Sequence, residues 1–97
     1  MKVVLRARAL KDLQSIYAFV LEQDRDAADH FLTSFDDELK LLSAHPFLGR
    51  KRYFKQSGIR SWRIRGFEKF LIFYRPTERH LDVIRVLHGA RDIAALM

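Results

Sequence analysis

"GIRSWRIRGFEKFLIFYRPTERHLDVIRVLHG", residues 58–89, decides the fold. It divides into three extended runs, near 59–65, 68–75 and 81–88, punctuated by Gly66 and by the "PTER" of residues 76–79, both turn signals. Connections this short join antiparallel neighbours, so the runs form a three-stranded antiparallel β-meander. In the first run Trp62 and Ile64 alternate with Arg63 and Arg65, a period of two with one wet face. The middle run, "FLIFY", is apolar on both faces, as a strand covered from two sides must be. In the last run simple alternation puts Ile84, Val86 and His88 on one face and Leu81, Val83, Arg85 and Leu87 on the other. A sheet with two apolar faces needs two covers.

One cover lies upstream. "KVVLR" at 2–6 reads as a short first strand, β-branched at its centre. In "ALKDLQSIYAFVLEQ" the residues Leu10, Leu13, Tyr17 and Val20, with Ile16 beside them, recur at the spacing of one helical face, giving a helix over roughly 9–22. "QDRDAAD" breaks it and starts a second helix, since Asp24 and Asp26 are both good N-cap residues and Asp29 adds negative charge to the first turn. The second helix carries the stripe Ala28, Phe31, Leu32, Phe35, Leu39 and Leu42 and ends at Pro46, which drives His45 out of the helical region. So short a break makes the two helices an antiparallel hairpin, each with one stripe to bury. The fold class is therefore α+β in a single domain spanning 1–97: N-terminal strand, helical hairpin, β-meander and, after Gly89, a turn and a short C-terminal helix opening at Arg91-Asp92. The second sheet face is left in need of a partner.

Charge is unevenly shared. The chain carries a net +6, but residues 1–45 hold six Lys/Arg against eight Asp/Glu, a net of −2, and residues 46–97 hold twelve against four, a net of +8. A positive half attracts an acidic partner, nucleic acid or an acidic protein segment; a merely solvated surface is the bland alternative. The loop "PFLGRKRYFKQSG" interleaves Arg50, Lys51, Arg52 and Lys55 with Tyr53 and Phe54, the mixture that contacts single-stranded nucleic acid through phosphates and rings. The competing reading tucks Phe47, Leu48 and Phe54 under the sheet and leaves the charges in water.

Little else carries chemistry. There is no cysteine, so no disulfide or thiolate metal site, and a reducing cytoplasm is the expected compartment. The four histidines, at 30, 45, 80 and 88, lack metal-ligand spacing, so no metal or cofactor is expected. No run reaches the length of a membrane span, and the N-terminus lacks a signal peptide's apolar stretch. What remains is a basic sheet on which Arg60, Arg63, Arg65, Arg75, Arg85 and Arg91 can clamp a phosphate while His88 or Glu68 moves a proton, the minimal equipment of a metal-independent endoribonuclease. The alternative for His88 is structural, a strand-end ring bonded to the following turn.

Taken together, "ALKDLQSIYAFV" with Asp12-Leu13, Ile16 and Tyr17, then Ala28 and Phe31, "HPFLGR" with Pro46 and Gly49, "GIRSWRI", "FLIFYR" and "VIRVLHGARD" resemble, in order and spacing, toxins of the RelE/ParE superfamily of type II toxin-antitoxin systems, closest to the ParE branch. The resemblance covers essentially the whole chain. It implies a cytoplasmic bacterial toxin that forms a hetero-oligomer with a small, acidic-tailed, ParD-like antitoxin. For ParE-like members, plasmid stabilisation toxins among them, it implies inhibition of DNA gyrase; for RelE-like members it implies ribosome-dependent mRNA cleavage. RelE-type nucleases end in a tyrosine or a histidine-tyrosine pair, whereas here no tyrosine follows Tyr74 and "LHGARD" runs into the ParE-like tail "IAALM". The gyrase reading is favoured, with the endoribonuclease using Arg63, Arg85 and His88 as the alternative and a non-toxic antitoxin- or nucleic-acid-binding relative as the third. The arginines Arg60, Arg63, Arg65, Arg75 and Arg85 are assigned to the antitoxin, and Arg50, Lys51, Arg52, Tyr53 and Arg91 to the target.

Overall fold

A computed structural model describes residues 1–97. The chain runs β1 (Lys2–Leu5), α1 (Ala7–Gln23), α2 (Arg25–Ala44), β2 (Arg50–Lys51), β3 (Arg60–Ile64), β4 (Phe67–Pro76), β5 (His80–His88) and α3 (Ile93–Leu96). The helical break falls at Asp24, whose Oδ1 accepts hydrogen bonds from the backbone N–H groups of Asp26 and Ala27 and so satisfies two donors that the start of α2 leaves free. Tyr17 Oη donates to Asp29 Oδ1 across the hairpin at 3.1 Å. His45, before Pro46, leaves the helix at φ −135°, ψ 73°, as the proline requires.

The meander β3-β4-β5 stands as read, but it is the centre of a larger, mixed sheet of order β1-β5-β4-β3-β2. β1 pairs parallel to β5, Lys2 opposite His80 through Leu5 opposite Val83. The helical hairpin lies within the long crossover that a parallel pair needs. β2, inside the stretch read as loop, pairs two residues with β3 at the far edge. A two-residue strand is too short to leave a period in the sequence. Gly66 takes φ 83° in the β3–β4 turn, a conformation that a side chain would strain.

Between the hairpin and the sheet lies the main core: Ala9, Leu13, Phe31, Phe35, Leu39 and Leu42 from the helices meet Ile64, Ile72, Tyr74, Leu81, Val83 and Val86. Two residues placed in helical stripes face solvent instead. Leu10 is 47% exposed and Leu32 42%, because each lies at the margin of its stripe, and Ala9 and Ser34 are buried instead.

Alternation in β5 also needs correction. Tyr74 pairs with Val83 and Phe73 with Arg85, leaving Ile84 as one extra residue, a β-bulge that reverses the parity of everything before it. Leu81 and Val83 therefore join Val86 on the helix side, while Ile84 packs with Ile59, Phe73, Leu87 and Ile93 on the other. That second face is not bare: Phe54, Leu96 and Met97 pack onto it together with buried Ile93. Of the three loop residues read as tucked under the sheet, only Phe54 is; Phe47 is 69% exposed and Leu48 lines a surface cleft.

Candidate functional site

β1 covers only the first half of β5, so the edge of β5 from Ile84 onward is without a neighbouring strand. Asp12 of α1 fills the gap. Its Oδ2 accepts from the backbone N–H of Val86 at 3.0 Å and from Arg85 Nε at 2.8 Å, while its Oδ1 accepts from Arg85 Nη2 at 3.0 Å. The pair is bidentate, the strongest geometry available to a guanidinium and a carboxylate. Arg85 Nη1 also donates to the Leu96 carbonyl at 3.2 Å, so one arginine joins α1, β5 and α3. The bond to Asp12 raises the Arg85 pKa above its ordinary value against an opposing effect of burial. A residue 9% exposed and saturated in this way is a structural brace, not a free cation.

His88 is held by the turn that follows it. Its Nδ1 accepts from the Ala90 N–H at 3.0 Å, and its ring meets Phe70 edge to face, centroids 5.3 Å apart. With Nδ1 accepting, a neutral ring carries its proton on Nε2, so its one basic nitrogen is occupied by the backbone. His88 lines a groove of about 440 Å³ with Asp12, Phe19 and Arg91. Arg63 is elsewhere: it pairs with Leu71, and Leu71 with Leu87, which puts it on the sheet face opposite His88. The three residues of the nuclease reading do not converge.

The remaining arginines part into two groups. Arg75 lies 3.6 Å from the buried carboxylate of Asp82, which also has Arg6 at 2.6 Å and His80 Nε2 at 3.0 Å. The His80 contact is not an aligned hydrogen bond, since neither His80 Nε2 nor Asp82 Oδ1 makes one. Arg60 donates to the carbonyls of Phe47 and Gly49 at 3.0 and 2.8 Å and lies over the Phe47 ring at 5.1 Å. These two hold the fold.

Arg50, Lys51, Arg52, Tyr53, Arg63 and Arg65, by contrast, belong to the surface around β2 and β3. Arg50, Arg52 and Arg63 surround a cleft of about 430 Å³ with Ser61, Leu48 and Leu71. Arg52 separates it from a second cleft of about 340 Å³ that includes Tyr53 and Phe54. Arg52 itself is fixed, over Phe54 and Phe73 at 5.5 and 5.3 Å and donating to Ser61 Oγ at 3.2 Å. Of the residues assigned to the target, the first four come together here, and Arg91 does not.

Under this surface is a lock that the sequence reading missed. Tyr74 Oη accepts from the Gly49 N–H at 2.8 Å and donates to the Pro46 carbonyl at 2.8 Å, anchoring the chain as it leaves α2 for β2. A Cβ at Gly49 would meet Tyr74 Cε1 at 2.7 Å and the Ser61 carbonyl oxygen at 2.9 Å, so only glycine passes. Asp12 and Asp82 were missed too. A charge within an apolar strand was the available signal for Asp82; for Asp12, on a helix with a wet face, the one signal was its place in the stretch that carries the family resemblance.

A strand, a helical hairpin and a basic sheet closed by a C-terminal helix define the class, the RelE/ParE-like toxin fold. Residues 3–93 match the family model described as ParE toxin of type II toxin-antitoxin system, parDE, and the chain belongs to that family. Among solved structures it is similar to a chain of the chromosomal ParDE TA system from P. aeruginosa, with a TM-score of 0.75 and 18% sequence identity over 91% of this chain and 95% of that one. At that identity the likeness speaks for the fold. No individually curated protein matches the chain in sequence.

Proposed function

We propose that this toxin inhibits DNA gyrase in the bacterial cytoplasm, without covalent chemistry of its own, and is neutralised by a ParD-like antitoxin with an acidic tail. Membership of the ParE family supplies the frame. The observation that carries the choice against mRNA cleavage is the state of His88 and Arg85: the histidine's accepting nitrogen holds the Ala90 N–H, and the arginine is bound bidentate by Asp12. General acid–base catalysis needs a group free to take or give a proton at the substrate. Neither residue is free.

By this reading Arg50, Lys51, Arg52 and Tyr53 form the surface that meets the target, with Arg91 at a separate contact. The antitoxin's carboxylates pair with Arg63 and Arg65, both exposed, while Arg60, Arg75 and Arg85 act indirectly by holding the sheet. Substituting Arg63 and Arg65 with glutamate is expected to abolish capture of the toxin by its antitoxin in a pull-down while leaving the circular-dichroism melt in place. An undiminished complex would remove these two residues from the interface.

A further inference from the structure

Seven cations, Arg50, Lys51, Arg52, Lys55, Arg60, Arg63 and Arg65, lie in a stretch from His45 to Phe67 that contains no aspartate or glutamate. None of the molecule's five ion pairs involves any of them. Elsewhere the chain neutralises its buried charge with care, as at Asp12 and Asp82; here it concentrates guanidinium groups around β2 and provides no counter-charge.

The two clefts on this surface differ in a useful way. The first presents Arg50, Arg52 and Arg63, a set of guanidinium donors for the tetrahedral oxygens of a phosphate. The second presents aromatic rings, Tyr53 and Phe54, beside the cations Lys51, Arg52 and Arg60. Phe54 is half-buried under Arg52, but the Tyr53 ring is 90% exposed. An aromatic side chain that packs on nothing within its own molecule leaves a flat face in water beside an unneutralised arginine row.

Charge alone would fit any polyanion, including an acidic peptide. The bare ring is what separates the possibilities, because the carboxylates of an acidic peptide have no π-face to offer while every nucleobase has one. We infer that the β2–β3 surface binds single-stranded nucleic acid, with backbone phosphates at Arg50, Arg52 and Arg63 and a base stacked on Tyr53. This goes beyond gyrase inhibition: it is a property of the toxin by itself, measurable with no gyrase present. A chain that binds a single strand yet leaves supercoiling untouched would end the gyrase reading and not this one.

The test is fluorescence anisotropy of the purified full chain against single strands of about twelve thymidines or uridines, measured side by side to tell DNA from RNA, between about 50 and 200 mM salt. Binding is expected to weaken with salt, the logarithmic slope losing about 0.7 for each phosphate contact removed, so that R50A/R63A flattens it by about 1.4. Tyr53→Ala is expected to weaken single-strand binding about tenfold with the slope unchanged and to leave binding of a polyglutamate peptide unaltered. No binding of either strand at the lowest salt would overturn the inference. So would a Tyr53→Ala affinity equal to that of the parent, or equal affinity for duplex of the same length, since either would reduce the surface to a generic polyanion site.

Discussion

Asp12 commits both carboxylate oxygens to β5, one to the Val86 N–H and Arg85 Nε and the other to Arg85 Nη2. The side chains of the pair are 11% and 14% exposed, so removal of the acid strands a nearly buried guanidinium. Asp12→Ala is expected to destabilise the fold by about 3–5 kcal/mol, read from the shift of a urea-unfolding midpoint at constant slope; a loss below about 1 kcal/mol would mean the pair acts as an ordinary surface bridge. Tyr74 makes a second residue-scale prediction. Burial holds its hydroxyl above the ordinary value of 10.0, so as pH rises past 10 the unfolded chain gives up this proton first and stability falls, having been fully present below that pH. Tyr74→Phe is expected to cost about 1–3 kcal/mol at neutral pH, because the buried Gly49 N–H loses its acceptor, and to flatten the alkaline part of the stability profile. A variant that melts with the parent's alkaline slope would assign that slope to other groups, Tyr17 first among them, since its bond to Asp29 raises it in the same direction.

Among the elements, α3 is the smallest and closes the second sheet face. Its start is capped by Asp92 Oδ1, which accepts from the Ala95 N–H at 3.4 Å, and Ile93 is buried against Phe73 and Leu87. Ile93→Ala is expected to cost about 2–5 kcal/mol and to increase dye binding to exposed apolar surface; unchanged stability would place the closure of this face with Phe54 and its loop. The elements also show what a sequence can and cannot disclose. Both helices, the Asp24 break, the Pro46 stop and the three meander strands follow from periodicity and turn chemistry, because those features repeat within a few residues. The Ile84 bulge and two-residue β2 do not repeat, and the parallel seat of β1 is a contact between residues about eighty apart. The candidate site fared similarly. Composition alone picked out the cluster Arg50, Lys51, Arg52 and Tyr53, since its residues are neighbours in the chain. The joint site of Arg63, Arg85 and His88 was a statement about space, and strand alternation together with a helical carboxylate undoes it.

For the molecule as a whole, the +8 half is not a uniform surface. Arg75 and Arg85 are drawn inward by Asp82 and Asp12, and the free charge is left on one side, around β2 and β3. A toxin built in this way meets its partners by electrostatic attraction first, so association with either antitoxin or target is expected to slow as salt rises. No helix is long and apolar enough to cross a membrane. On the function proposed above, toxicity comes from holding gyrase and not from acid–base chemistry at His88. The most direct test is an ATP-dependent supercoiling assay with the purified parent chain and His88→Ala, run beside a ribosomal toeprint. Inhibition of supercoiling by both proteins to a similar degree, with no new mRNA ends, is the predicted result. Normal supercoiling together with ribosome-dependent cuts that vanish in His88→Ala would contradict it.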